Sequence, residues 1–98
     1  MVELTDNAAL HRFEMVVDRE TAFVYYTLQN DRLVLIHTEV PQSLSGRGLG
    51  AALARAVLDE ARRRGRRVVP RCDFIAALIR RHPEYGDLVA EPRPDGIQ

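Results

Sequence analysis

The sequence predicts an α+β fold in which antiparallel strands lead into a β-α-β crossover and a final helix. Three observations indicate this class. Strand-like segments follow one another between residues 12 and 40, apolar residues then recur at every fourth position within Gly48–Arg64, and a short strand pattern precedes a second helical pattern that ends at Pro83. The crossover makes the strands before and after the first helix parallel neighbours, so the sheet is expected to be mixed.

The three consecutive strands are recognised by their alternation and by the turn residues at their ends. Phe13, Met15 and Val17 occupy every second position, which is typical of a strand buried on one side. Proline cannot donate a hydrogen bond to a sheet, so Pro41 closes the third strand. The predicted strands are Arg12–Asp18, Ala22–Gln29 and Leu33–Val40, with turns at Asp18–Thr21 and at Asn30 and Asp31.

The segment Gly48–Arg64 is predicted to be the main helix, with Gly65 as its C-terminal stop. Two carboxylate and arginine pairs are expected on its exposed side: Asp59 with Arg63 and Glu60 with Arg64. A short strand follows at Arg67–Cys72. Asp73 is then expected to cap a second helix at Phe74–His82.

The composition indicates one soluble domain that is held together by packing. The 98 residues are expected to form a single unit with an ordered core at about residues 7–89 and a frayed tail at 90–98. Fourteen arginines balance fourteen acidic residues, which argues against a nucleic-acid partner. The lone Cys72 excludes an internal disulfide and a thiolate metal cluster. No apolar run approaches the roughly 20 residues of a membrane helix, and the acidic start lacks a signal peptide's basic region, so a cytoplasmic location is expected.

The stretch SLSGRGLGAAL contains three alternate glycines, at positions 46, 48 and 50, immediately before the main helix. We call residues 45–51 the glycine loop. Glycine permits positive φ angles and leaves room for a ligand, and the first N–H groups of a helix are unpaired and attract phosphate. The spacing fits neither the dinucleotide fingerprint nor the P-loop. The glycine loop therefore predicts a phosphate site, and a simple strand-to-helix connection is the alternative.

Several separated segments carry a family resemblance. The run HTEVPQSLSGRGLGAAL, preceded by NAALHRFEMVVD and followed by VVPRCDFIAALI and HPEYGDLV, resembles the GNAT acyltransferase superfamily, whose acetyl-CoA motif is Q/R-x-x-G-x-G/A at the start of a helix. The match is to its small single-domain, YjdJ-type branch and covers about residues 7–89. It implies a minimal GNAT-like fold with a sheet splayed between the HTEV and RVVPRC strands. Pantetheine would lie in that gap, with the pyrophosphate of acetyl-CoA on the loop amides.

The cofactor contacts implied by this resemblance extend from the end of the third strand through the glycine loop. They are Val40, Ser45, Gly46, Arg47, Gly48, Leu49, Gly50 and Ala51. The chain departs from the superfamily at two places. Ser45 stands where members carry Gln or Arg, so contact there depends on backbone amides and Arg47. Leu78 and Ile79 occupy the region that commonly holds a tyrosine acid for the leaving thiolate.

Acyl transfer from a thioester to an amine needs a base for the amine, support for the oxyanion and a proton for the leaving sulfur. His37 and Glu39 lie two residues apart on the third strand, so they share a face, and we expect them to continue the face of Leu33 and Leu35 toward the ligand. Either can take the proton of the amine. The structural alternatives are a histidine hydrogen-bonded within the sheet and a solvated glutamate.

Cys72 ends the neighbouring parallel strand, close to the start of the second helix, where a helix dipole favours a thiolate. Three roles are open for it: a nucleophile that carries the acyl group, a proton donor to the leaving thiolate, and a small buried residue. The resemblance implies direct attack by the amine in a ternary complex, which needs no covalent intermediate.

The sequence is therefore expected to encode an N-acetyltransferase that uses acetyl-CoA, without a metal, to acylate a primary amine. The alternative is a CoA-binding module without catalysis, favoured by the missing tyrosine and by the little chain left for an acceptor pocket. A nucleic-acid-associated protein that uses the arginines between positions 62 and 67 is a third candidate, which the neutral charge disfavours. The acceptor and the oligomeric state are left open.

Overall fold

The structure, a computed structural model, describes residues 3–90 of the chain. Its strands are β1 (Leu4–Asn7), β2 (Arg12–Val17), β3 (Glu20–Gln29), β4 (Arg32–Glu39) and β5 (Val68–Pro70), and its α-helices are α1 (Leu49–Arg63) and α2 (Asp73–Arg81). Short 3-10 helices lie at Ala8–Leu10, Gln42–Leu44 and Pro83–Leu88. The predicted frayed tail lies outside the described residues except for Ala90, whose N–H donates to Val68 O at 2.8 Å.

The strands form one open, mixed sheet in the order β1-β2-β3-β4-β5. Neighbours are antiparallel except for β4 and β5, which are parallel, so the α+β class with its crossover is confirmed. The sequence does not predict β1. Its residues LTDN include a single large apolar side chain, Leu4, and they become a strand by pairing with β2.

Two tight turns at opposite ends of β3 join it to its neighbours. Asp18 and Arg19 have φ angles of 51° and 68°, and Asn30 and Asp31 have φ angles of 52° and 67°. Paired positive φ angles are the geometry of two-residue hairpin turns, which match the twist of the strands. The first turn brings Asp18 to the end of the sheet that also carries the glycine loop.

Both helices pack on one face of the sheet, which we call the inner face. Alternate sheet residues such as Phe13, Val24 and Leu35 form one buried cluster with the apolar sides of α1 and α2. Leu53 and Val57 of α1 are fully buried within it, and each such side chain contributes roughly 1.5–3 kcal/mol to folding. The opposite, outer face carries no helix within the described chain.

The helix ends agree with the prediction at one place and differ at another. Gly65 follows α1 with a φ angle of 69°, the left-handed geometry expected of a helix stop. At the start of α2, however, Cys72 rather than Asp73 is the N-cap residue, and no side chain caps this end by a hydrogen bond. Asp73 is the first helical residue, and its negative charge there interacts favourably with the positive end of the helix dipole.

A bulge interrupts the pairing of β4 with β3. Tyr25 pairs with His37, and the next residue, Tyr26, pairs with Leu35, so Ile36 has no partner of its own on β3. A bulge of this kind adds one residue to one strand and bends that strand. The alternation of side chains along β4 therefore changes at Ile36.

The bulge decides which β4 residues face the helices. Leu35 faces inward before it, and Thr38 faces inward after it, opposite a fully buried residue of β3. His37 and Glu39 share a face, but this face is the outer one. The expectation that they continue the face of Leu33 and Leu35 is wrong, because one extra residue shifts the two-residue period of a strand.

The short length of β5 leaves the sheet open beyond Leu35. The predicted strand Arg67–Cys72 is reduced to three residues, which pair with residues 33–35 of β4. Leu35 O then accepts the N–H groups of Arg71 at 2.9 Å and Cys72 at 3.0 Å as the chain turns into α2. Residues 36–39 of β4 have no β5 partner, which agrees with the expected splay of the sheet.

Candidate active site

The glycine loop joins the 3-10 helix at Gln42–Leu44 to α1. Leu44 is 1% exposed and anchors this connection. Gly46 and Gly48 follow with φ angles of 82° and 73°, a left-handed backbone that residues with a Cβ rarely adopt. These two glycines let the backbone turn directly onto α1, for which Gly48 is the N-cap residue.

The glycine loop presents backbone N–H groups that have no backbone partner within residues 3–90. Ser45 N–H donates to Gln42 O at 3.0 Å, and the next amide with such a partner is that of Ala52, which donates to Gly48 O at 3.1 Å. The amides of residues 46–51 lie between them, at the positive end of the α1 dipole. Donors arranged in this way bind phosphate.

A groove extends from the glycine loop along the end of β4 to the first turn of α2. It consists of two cavities, of about 290 and 230 Å³, that share Val40, Gly50 and Phe74 as lining residues. The larger cavity is also lined by Leu44, Ser45, Gly46, Gly48, Leu49 and Ala51, and the smaller one reaches Thr38. The residues predicted from Val40 to Ala51 therefore line one groove, with the exception of Arg47.

Phe74 forms one wall of the groove, and the sequence prediction omits it because its helical spacing is that of a core residue. Phe74 is 41% exposed. A Cβ at Gly50 would lie 3.1 Å from Phe74 Cζ and 3.6 Å from Val40 Cγ2. A side chain at position 50 would therefore displace the ring by a few tenths of an ångström, and glycine permits its close approach.

The far end of the groove places a hydroxyl group beside the thiol of Cys72. Thr38 Oγ1 and Cys72 Sγ are 3.3 Å apart, within hydrogen-bond distance for sulfur. Cys72 is 7% exposed and belongs to the core cluster, whereas Thr38 also lines the smaller cavity. The sequence prediction missed Thr38, because simple alternation places it on the opposite face from Leu35.

His37 and Glu39 form an exposed pair on the outer face. His37 Nε2 and Glu39 Oε1 are 2.7 Å apart, and the two side chains are 56% and 55% exposed. Both belong to the part of β4 that has no β5 partner. Because Thr38 lies between them and faces inward, the end of β4 separates a hydroxyl and a thiol inside from an imidazole and a carboxylate outside.

Arg47 is held outside the groove by Asp18. Its Nη1 donates to Asp18 Oδ2 at 2.7 Å, and the two side chains are 51% and 65% exposed. Arg47 lines neither cavity. To reach an anion on the loop amides, its guanidinium group must first leave the Asp18 carboxylate.

A second cluster of charged side chains ties β1 and β3 to α1. Tyr26 Oη donates to Asp6 Oδ1 at 2.6 Å, Arg64 Nη2 donates to Asp6 Oδ2 at 2.9 Å, and Arg64 Nε donates to Glu60 Oε2 at 2.7 Å. Burial and the Asp6 carboxylate raise the pKa of Tyr26 to about 12. Hydrogen bonds from Arg63 and Arg64 lower the pKa of Glu60 to about 2. These contacts lie away from the groove and are structural.

The arginines at the end of α1 are engaged by carboxylates. Arg62 donates to both carboxylate oxygens of Asp87 at 2.9 Å, and the next two arginines bind Glu60. The expected pair of Asp59 with Arg63 is wrong, since Asp59 accepts a tyrosine hydroxyl at 3.3 Å instead. Much of the positive charge of this cluster is therefore neutralised within the protein.

The polar groups that line the groove are backbone amides and the hydroxyl residues Ser45 and Thr38, and the Cys72 thiol lies beside Thr38 in the core. Among residues 3–90, no three His, Cys, Asp or Glu side chains are grouped as metal ligands. Within the same range, neither α-helix has the length and apolar character needed to cross a membrane.

Two comparisons with known proteins bear on this chain. The family model described as GCN5-related N-acetyl-transferase matches residues 12–88, which include the end of β4, the glycine loop and both α-helices. The solution NMR structure of a GCN5-like protein from Staphylococcus aureus superposes with a TM-score of 0.69. This superposition covers 94% of this chain and 91% of that one, at 23% sequence identity, and shows a shared fold.

Proposed function

This chain belongs to the GCN5-related N-acetyltransferase family, and we propose that it transfers the acetyl group of acetyl-CoA to a primary amine by direct attack in a ternary complex. One observation carries the proposal. A single groove connects unpaired amides at the start of α1 with the open end of the sheet, where Thr38 and Cys72 lie inside and His37 and Glu39 lie outside.

The glycine loop is suited to hold the pyrophosphate. The amides of residues 46–51 have no backbone partners within the described chain, and charge-assisted hydrogen bonds from amides to phosphate are stronger than neutral ones. Neither Gly46 nor Gly48 places a Cβ in the way. Ser45, in the place of the superfamily's Gln or Arg, lines the same cavity and leaves the backbone as the main donor.

The middle of the groove is suited to the pantetheine arm. Val40 and Phe74 supply apolar walls, and Gly50 keeps the space between them open. A ligand here would cover the exposed ring of Phe74. Residues 36–39 of β4 also have backbone groups that β5 does not use, so the amide groups of pantetheine would find hydrogen-bond partners along this strand.

The chemistry follows from the division between the two faces at the end of β4. The amine nitrogen attacks the thioester carbonyl carbon and forms a C–N bond, and the C–S bond then breaks. We assign the proton of the amine to the outer pair, with His37 or Glu39 as acceptor. The departing sulfur needs a proton from the inner side, and we assign its donation to Cys72, whose Sγ lies 3.3 Å from the Thr38 hydroxyl.

The alternative candidate is a CoA-binding module that does not turn over. A specific observation favours it: Leu78 and Ile79, in the region where the superfamily commonly carries a tyrosine acid, are buried core residues of α2. In a binding module the glycine loop would still hold the pyrophosphate of CoA, but Cys72, His37 and Glu39 would have no catalytic role.

Calorimetric titration of the purified protein with acetyl-CoA and, separately, with CoA tests the shared part of both candidates. We expect saturable binding at one site for each ligand. No binding at millimolar concentration would make the glycine loop a connector and would remove both candidates. Where binding is found, release of CoA in the presence of primary amines, followed by mass spectrometry of the acceptor, separates the enzyme from the binding module.

A further inference from the structure

The outer face around His37 and Glu39 carries apolar and aromatic side chains that the described chain leaves uncovered. Val16, Tyr25 and Ile36 are 56%, 38% and 46% exposed. Val16 and Tyr25 lie on the sheet face opposite the helices, and Ile36 lies in the bulge. Exposed apolar side chains gathered on one face, unlike single scattered ones, mark an interaction surface.

The strand register places aromatic rings beside the proposed base. Tyr25 lies opposite His37, and Phe23 lies opposite Glu39. The two rings contact each other edge to face, with centroids 5.0 Å apart and an interplanar angle of 68°. An ammonium or amine group that reaches Glu39 is therefore framed by aromatic surface.

The charges on this face suit an acceptor with one amine rather than a polyamine. The Glu14 carboxylate is already bound by Arg12 Nε at 2.5 Å and by Asn7 Nδ2 at 3.0 Å. The guanidinium group of Arg12 also covers the Phe23 ring at 4.2 Å. The Glu39 carboxylate, by contrast, has no guanidinium partner and contacts only the His37 imidazole, at 2.7 Å. In this part of the face a cationic ligand thus meets one carboxylate that no arginine binds, beside a fixed guanidinium that repels further positive charges.

We propose that the outer face is the docking surface for the acceptor, and that the acceptor is a polypeptide segment in which a single primary amine is flanked by apolar residues. This inference rests on the proposed function. A small amine would find few contacts on a flat sheet face, whereas a polypeptide can cover Val16, Tyr25 and Ile36 together. The opening of the sheet beyond Leu35 lets its amine reach the acyl group beside Thr38 from this side.

The experiment compares acceptors and surface variants with acetyl-CoA present. Two kinds of peptide carry a single primary amine, either at a lysine between leucine and phenylalanine or at the N-terminus. The small amines for comparison are N-acetyl-lysine amide and spermidine. Tyr25→Ser tests the surface. Leu28→Ser is the matched control, because Leu28 is 52% exposed but lies opposite the buried Leu33 on the inner side.

We expect the peptides to be the better acceptors, and Tyr25→Ser to lower their kcat/KM about tenfold, as for a large side chain at the centre of an interface. In Leu28→Ser the kcat/KM of the peptides should be unchanged. In Tyr25→Ser the small amines should lose less kcat/KM than the peptides, and the acetyl-CoA affinity should be unchanged in both variants. A preference for spermidine, or an unchanged peptide rate in Tyr25→Ser, would overturn the inference while leaving the proposed function in place. Loss of acetyl-CoA binding in the unmodified protein would overturn both.

Discussion

Gly48→Asp is the substitution that tests the phosphate site most directly, because it changes the glycine loop and removes no core contact. A Cβ at Gly48 meets no heavy atom within 4 Å. Two effects remain. The φ angle of 73° strains any residue with a Cβ, and the new carboxylate stands among the unpaired amides of residues 46–51.

These two effects act on different quantities. The backbone strain lowers the free energy of unfolding by about 1 kcal/mol, whereas the carboxylate acts on ligand binding. A unit charge about 5 Å from one phosphate charge costs roughly 0.8 kcal/mol in water and about 3 kcal/mol at an effective dielectric constant of about 20. For the two charges of a pyrophosphate beside a half-open groove we expect about 2–4 kcal/mol, a loss of acetyl-CoA affinity of roughly 30- to 1000-fold.

Gly65→Asp is the matched control. Gly65 has a φ angle of 69°, and a Cβ there also meets no heavy atom within 4 Å, but it follows the opposite end of α1, about 25 Å away. Thermal unfolding and calorimetric titration with acetyl-CoA are measured on both variants. We expect both to lose stability and only Gly48→Asp to lose binding. Wild-type affinity in Gly48→Asp would refute the phosphate assignment.

Three further changes give separate tests. Asp18→Asn releases Arg47 and removes a negative charge near the glycine loop, so acetyl-CoA affinity should rise about three- to tenfold at low salt and less at high salt; Asp31→Asn, at the other end of the sheet, should leave it unchanged by calorimetry. Cys72→Ala should leave acetyl-CoA affinity nearly intact and lower the transfer rate about 100-fold, and full activity would reduce Cys72 to a packing residue. Glu60→Gln should lower the free energy of unfolding by about 1 kcal/mol at neutral pH. Since the pKa of Glu60 is lowered to about 2 from its ordinary value of 4.5, its contribution to stability is present above pH 4.5 and is lost as the pH falls toward 2. Denaturant unfolding that shows the same difference between the two proteins at pH 2 would contradict this.

The elements that sequence reasoning places correctly are those for which local signals agree with packing. The four-residue spacing of Leu53, Val57 and Ala61 predicts the buried side of α1, and Gly65 has the positive φ angle of a helix stop. The parallel pairing of β4 with β5 follows from the chain order alone. In each case a short stretch of sequence contains the physical cause.

The features that it misses depend on partners far along the chain. β1 forms because β2 offers an edge to polar residues with little strand character of their own. Phe74 has the helical spacing of a core residue, but its ring lies beside Gly50 and is partly exposed, which depends on the tertiary structure. The inward position of Thr38 depends on the bulge at Ile36, and the run LIHTE contains no residue type that signals a bulge.

The bulge has a consequence for the proposed mechanism, because it decides which side chains of β4 lie on which face of the sheet. With regular alternation His37 would face inward with Leu35, and Thr38 would lie outside, away from Cys72. The extra Ile36 reverses both positions, so the thiol gains a hydroxyl partner at 3.3 Å, and the pair of His37 and Glu39, 2.7 Å apart, lies on the other face. In the proposed mechanism, an acyl group at this point of β4 would meet the proposed proton donor to the leaving sulfur on one side and the proposed proton acceptor of the amine on the other. In that mechanism, separation of the two proton transfers depends on one backbone irregularity, and the proton for the sulfur comes from Cys72 and not from a tyrosine on α2.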